Sequence, residues 1–258
     1  MYYSDGTSSQ ISGLIPYTAS TINIKNLFID KSYLVSNNYS AILCCFITGT
    51  SNLVTIQNCG ILENTVVKSF NNDCAGGFVG YLNGSNATAS ISNCYNIMPV
   101  TNYIIRSKEK SGSMVGIGWG NNGIKLMMSN NFGIQPLYED WGDEKNRFIQ
   151  SFDSVIKNNY TLSTNNNTGS TATAEKIDEA QAKGFMALST GNMENLNTNE
   201  TFVATENYPK LSVELENPWE LISSDENIME IINTKIVIGP ELPINAPVGT
   251  IWIQPIIE

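Results

Sequence analysis

An apolar residue, a polar residue and an asparagine recur five times along the chain: Ile24-Lys25-Asn26, Ile56-Gln57-Asn58, Ile91-Ser92-Asn93, Met128-Ser129-Asn130 and Ile156-Lys157-Asn158. The asparagines stand 32, 35, 37 and 28 residues apart (26→58→93→130→158). A period in that range marks a stacked-repeat architecture. Two positions before each apolar member lie Ile22, Val54, Ala89, Leu126 and Ser154, which is the alternation of a half-buried strand. After the asparagine comes Leu27, Cys59, Cys94, Asn131 or Asn159. The next position holds Phe28, Gly60, Tyr95, Phe132 or Tyr160, and because four of the five are aromatic an aromatic stack is expected there.

The asparagine has a physical task. A chain that winds strand, corner, strand needs corner residues that tolerate left-handed backbone angles, and Asn does so better than most non-glycine residues. Stacked in register, Asn26, Asn58, Asn93, Asn130 and Asn158 can also hydrogen-bond from one turn of the chain to the next, as side-chain ladders do.

A second element precedes the box. Residues 42–60 align without gaps on 77–95, an offset of 35, and a third copy is Gly112-Ser113-Met114-Val115-Gly116-Ile117-Gly118-Trp119. A short apolar run follows the boxes at Ile61-Leu62, Ile97-Met98 and Ile134-Gln135-Pro136-Leu137. The pattern predicts roughly three strands per period with no long helix between them. That is an all-β chain: a right-handed parallel β-helix, a solenoid stabilised by nearest-neighbour stacking.

The wording Gly76-Gly77-Phe78-Val79-Gly80, followed by Ile91-Ser92-Asn93-Cys94-Tyr95-Asn96, resembles the GLUG repeat. The likeness is good over 76–96, fair over 112–133 and degenerate at 41–60 and 147–160. The first copy departs from the motif in carrying Cys44-Cys45 where it has Val-Gly. The resemblance implies a scaffold or adhesive β-solenoid of the kind found in large bacterial surface proteins and adhesins. Tyr208-Pro209-Lys210-Leu211 is similar to the closing segment that follows such repeats.

The 258 residues suit one elongated solenoid plus a small terminal part, and 41% hydrophobic residues can supply a core. Charged residues make up only 15%, with a net charge of −10. Nucleic-acid binding is not expected, because no Lys/Arg stripe exists to displace counterions from phosphates. Membrane insertion is not expected either, since no apolar run reaches the ~18–20 residues of a spanning helix. The N-terminus has no basic region followed by an apolar core, and the first strand pattern begins close to Met1. The expectation is a chain assembled inside the cell or an excised piece of a longer one.

Cys44, Cys45, Cys59, Cys74 and Cys94 are an odd number, all within the repeats. They read as buried thiols acting as small hydrophobes. A disulfide is open on distance, though stacked parallel residues rarely give its torsion. Zinc is not expected, given the spacing and the absence of histidine.

Three segments emerge: residues 1–165 as about five degenerate repeats, 166–216 as linker, cap and closing strand, and 217–258 as a C-terminal β segment for oligomerisation or attachment. Ala174–Lys183 reads as a short helix, stopped by Gly184, that caps the last turn of the solenoid. Ile228–Ile238 reads as one strand. Pro247-Val248-Gly249-Thr250-Ile251-Trp252-Ile253 resembles a segment of phage tail and appendage proteins; an edge strand carrying Trp252 is the other reading.

Without histidine the usual general base and the Ser-His and Cys-His nucleophiles are missing, so only carboxylate chemistry remains. The densest acidic run, Glu139-Asp140-Trp141-Gly142-Asp143-Glu144, lies between the fourth and fifth boxes. Aromatic residues beside carboxylates are a sugar-site pattern, which makes Trp119, Tyr138, Asp140 and Trp141 candidate glycan contacts. A solvated turn is the plainer reading. The expectation is a non-enzymatic structural or adhesive protein with no cofactor and no metal. It is read as a phage virion appendage subunit, a tail or head fibre of receptor-binding type. It is expected to form a homo-oligomer (a trimer is favoured), to join other virion proteins through its C-terminal segment and to contact a host surface glycan or protein. A fragment of a bacterial cell-surface adhesin is the alternative, and a carbohydrate-active β-helix enzyme the third.

Overall fold

The first three asparagine boxes close a strand and the last two lie within one, and each box pairs with the corresponding stretch of the neighbouring repeat. In this computed structural model the described residues are 11–29, 33–36, 38–48, 52–62, 65–69, 74–82, 86–97, 105–106, 110–112, 114–118, 125–134, 154–162, 174–216, 228–231, 234–238 and 251–253. Strands predominate, and all strand pairs between repeats are parallel.

One complete repeat runs through Val66–Ser69, Cys74–Gly76, Val79–Leu82, Thr88–Ser92 and Tyr95–Asn96. Each of these strands pairs with one from the repeat before. Their partners are Tyr33–Ser36, Tyr39–Ala41, Cys44–Ile47, Leu53–Gln57 and Gly60–Ile61. On the other side they meet Ile105–Arg106, Lys110–Gly112, Val115–Gly118 and the long strand Lys125–Gly133, which spans both last positions. The repeat therefore holds five short strands in four sheets, not three strands. The apolar run expected as a separate third strand begins within the box sheet, directly after the asparagine corner. The extra strands, such as Tyr33–Ser36 and Val66–Ser69, fall where no sequence alternation was assigned.

The register is continuous. Ile24, Ile56, Ile91, Met128 and Ile156 pair in sequence, and so do Phe28, Gly60, Tyr95, Phe132 and Tyr160. A parallel strand buried on its inner face holds its register, because a one-residue slip would turn its apolar set outward. The inner side chains form one core that includes Val54, Ile56, Ile61, Val79, Ile91 and Leu126. The glycines of the repeat are packing residues. A Cβ at Gly80 would stand 2.6 Å from the Cys45 carbonyl oxygen, and one at Gly116 would stand 2.5 Å from that of Gly80. Such an approach leaves room for hydrogen alone.

The region after Leu162 departs from the expected cap. Ala174–Lys183 is not one helix. Glu175–Ile177 is a strand that adds, in parallel, to Tyr160–Leu162, and only Glu179–Ala182 is helical, with Gln181 and Asp178 forming a capping box. Pairing with the outer strand Tyr160–Leu162 outweighs the helix propensity of a ten-residue segment, which is too short to hold a helix alone. From Lys183 the chain folds back along the repeats, through a 3-10 segment Glu194–Glu200, the antiparallel pair Phe202–Val203 and Lys210–Leu211, and the helix Ser212–Glu216. The closing strand Lys210–Leu211 thus pairs within this strap.

Ile228–Ile238 is likewise not one strand. It is a hairpin of Ile228–Ile231 and Thr234–Ile238, to which Ile251–Ile253 adds in parallel. A two-stranded return pairs the backbone groups that a single isolated strand would leave open.

Candidate functional site

The five box asparagines form one column. All have left-handed backbone angles, with φ of 54, 54, 52, 57 and 54 degrees from Asn26 to Asn158. Asn58 Nδ2 donates to Asn26 Oδ1 at 3.2 Å, Asn93 to Asn58 at 3.1 Å, Asn130 to Asn93 at 3.2 Å and Asn158 to Asn130 at 3.0 Å. The polarity is uniform: Asn58, Asn93 and Asn130 each donate toward the N-terminal end of the stack and accept from the C-terminal side. Backbone and side chain cooperate, since the αL corner that costs other residues strain also aims the amide along the column.

A second asparagine column stands one residue further on and faces inward. Asn131 Oδ1 accepts from the Cys94 N–H at 2.9 Å, and Asn131 Nδ2 donates to the Ile91 carbonyl at 3.0 Å and to Asn159 Oδ1 at 2.8 Å. Asn159 Nδ2 donates to the Met128 carbonyl at 3.2 Å. Both side chains are buried. Below them the same rung is occupied by Cys94 and Cys59, whose Sγ–H groups lie against the Ser92 and Gln57 carbonyls, each at 3.2 Å. The sequence showed these asparagines as variants of a cysteine position; their hydrogen-bonding role came only from the fold.

Cys44, Cys45, Cys59 and Cys94 are buried free thiols. Burial pushes Cys44 up to about 12. Burial, and then the Cys59 sulfur beside it, raise Cys94. The side chain of Cys74 lies outside the described residues.

The position after the second rung is aromatic for a reason beyond stacking. Phe28, Tyr95, Phe132 and Tyr160 belong to a second apolar cluster with Ile177, Leu196, Phe202, Tyr208 and Leu211 of the strap. They form a flank that the strap covers. Phe28 and Tyr95 approach with ring centroids 6.2 Å apart across Gly60. Tyr208 tilts against Phe132 at 5.5 Å, and Asn195 Nδ2 donates to Tyr160 Oη at 2.8 Å. Tyr95 donates its hydroxyl proton to Glu214 Oε2 at 2.5 Å, while Lys210 holds the other carboxylate oxygen at 2.9 Å.

Trp119, Tyr138, Asp140 and Trp141, the candidate glycan contacts, lie outside the described residues, as does the acidic run 139–144. Among the described residues no cluster of histidine, cysteine, aspartate and glutamate is arranged to hold a metal ion, and no helix is long and apolar enough to cross a membrane. No protein-family profile matches the chain, and no curated protein or solved structure is similar to it.

Proposed function

We propose that the chain is a right-handed parallel β-solenoid of GLUG-like repeats that serves a structural and adhesive role, without catalysis, as a subunit of a phage virion appendage. The observation that carries this reading is the unbroken column from Asn26 to Asn158, in which every circuit is bonded to the next. Stability built from neighbour-to-neighbour stacking suits a stiff support that carries loops at its side. Trp119, Tyr138, Asp140 and Trp141, which lie outside the described residues, are the proposed contacts, and a host surface glycan is their proposed ligand. The C-terminal segment 217–258 joins other virion proteins, and the assembly is a homotrimer.

A bacterial surface adhesin is the second reading. It is favoured by the packing of Gly80 and Gly116, since these are the glycines of the repeat-like wording. Antibody labelling of purified phage particles and of bacterial surfaces separates the two. Label on the particle supports the appendage; label confined to the cell envelope overturns it in favour of the adhesin. Release of reducing sugar from host capsule, abolished by Asp140→Ala or Asp143→Ala, would overturn both in favour of an enzyme.

A further inference from the structure

The flank under the strap is not the only aromatic surface. In the strand Cys44–Ile47, Cys44, Cys45 and Ile47 are buried and Phe46 alone stays partly in water. The strand Val79–Leu82 repeats the pattern with Tyr81. In Ile15–Thr18 the matching residue is Tyr17, 58% exposed. Tyr17, Phe46 and Tyr81 are register partners on adjacent strands. Tyr17 and Phe46 stack with centroids 5.7 Å apart and planes within 12°; Phe46 and Tyr81 are 5.0 Å apart. Tyr39, from the adjoining strand Tyr39–Ala41, sets its ring edge-on to Phe46 at 5.1 Å and lies 4.9 Å from Tyr81.

We infer that this four-ring strip is a binding site for a neutral polysaccharide. Two arguments select that occupant. The first is area. Four aromatic rings carry about 150–250 Å² each when wholly free, and only Tyr17 is more than half exposed. The strip then offers no more than roughly 500 Å², short of the ~800 Å² per partner that a stable second copy needs, but enough for a few sugar units. The second is charge. The strands Ile15–Thr18, Tyr39–Ala41, Cys44–Ile47 and Val79–Leu82 contain no Asp, Glu, Lys or Arg. The chain as a whole carries −10. An acidic polymer meets a repelling field and no cation on these four strands, whereas a neutral one meets ring faces whose negative quadrupole attracts its polarised C–H groups. Ring spacing follows the separation of neighbouring strands, about 4.7–4.9 Å, so the strip presents successive contacts at a pitch comparable to one hexopyranose unit.

The strip is independent of the appendage reading, which concerns Trp119, Tyr138, Asp140 and Trp141 and the location of the chain. The test is affinity electrophoresis of the full chain in native gels containing soluble β-glucan, mannan or galactomannan, with alginate as the anionic control. Retardation by at least one neutral polymer is expected, weakened at least tenfold by Tyr17→Ala and kept by Tyr17→Trp, with alginate without effect. Retardation lost in a Trp119→Ala/Trp141→Ala double variant would place the polymer on those residues and overturn the strip. Because Tyr17 is exposed, Tyr17→Ala should keep its melting temperature. No retardation by any neutral polymer, retardation untouched by Tyr17→Ala, or a change in mass by light scattering in that variant would each overturn the proposal, the last by making a second copy the occupant.

Discussion

Tyr95 and Glu214, 119 residues apart in sequence, share a 2.5 Å hydrogen bond in which the phenol donates to a carboxylate that is only 4% exposed. The bond fixes the last helix of the strap to the third repeat. It also places a negative charge in an apolar flank, with Lys210 as its counter-ion. Removing one partner of such a bond leaves the other desolvated.

Tyr95→Phe is therefore expected to destabilise the protein by about 1.5–3 kcal/mol, since the lost bond goes to a charged group. The pH dependence follows from burial, which raises the Tyr95 phenol well above its ordinary value, with Glu214 adding to the rise. A raised folded-state pKa means that the stabilisation is fully present below the unfolded value of about 10 and is lost as pH climbs above it. Urea midpoints measured from pH 8 upward should fall beyond pH ~10, and Tyr95→Phe should flatten that fall. An equal decline in both proteins would show that the Tyr95 proton does not contribute.

The column predicts that both the position in the stack and the substituted residue set the cost. Asn93 donates to Asn58 and accepts from Asn130, whereas Asn158 has a single bond within the column, to Asn130. Asn93→Ala loses two bonds, each worth about 0.5–1.5 kcal/mol, and forces alanine into αL at about 1–2 kcal/mol. Asn93→Gly loses the bonds without that strain. The expected order of destabilisation in urea is Asn93→Ala, then Asn93→Gly, then Asn158→Gly. Equal effects of the two substitutions at Asn93 would remove the backbone part of the account.

Some of this was legible in the sequence and some was not, for physical reasons. The box strands announced themselves because one face is buried and the other wet, so apolar and polar residues alternate, as in Val54, Thr55 and Ile56. Strands such as Tyr39–Ala41 and Cys74–Gly76 are three residues long and carry little periodicity. Glu175–Ile177 has helix-favouring residues and becomes a strand only because an open sheet edge lies beside it. Asn131 and Asn159 showed in the sequence only as variants of a cysteine position. They are interior because Cys94 N–H and the Ile91 and Met128 carbonyls need partners there. The aromatic series 28, 95, 132 and 160 was visible, but its cover was not, because the strap is remote in sequence.

The buried thiols yield a chemical prediction. A disulfide-exchange reagent must reach a thiolate, and all four thiols are buried, with burial also holding Cys44 and Cys94 protonated at neutral pH. In a Cys74→Ser background, the native protein at pH 8 should release no chromophore from an aromatic disulfide reagent over minutes. In ~6 M guanidinium, well above an ordinary unfolding midpoint, four thiols should react. Fast native reaction of any of the four would mean that the core opens at that rung.

Gly60 predicts a cost where strand propensity alone predicts a gain. Alanine suits a strand interior no worse than glycine, and at an ordinary site the change stabilises by restricting the unfolded chain. Here an added Cβ would stand 2.6 Å from Tyr95 Cζ and 2.7 Å from Phe28 Cδ1, so two rings from neighbouring repeats occupy the space above Gly60. Gly60→Ala should destabilise by about 1–3 kcal/mol through overpacking. The diagnostic measurement is a double-mutant cycle with Tyr95→Leu. Removing the ring also removes the obstruction, so Gly60→Ala should cost markedly less in the Tyr95→Leu background, with a coupling of about 0.5–3 kcal/mol. Strict additivity would mean that the ring does not fill that rung, and that the glycine is there for the backbone alone.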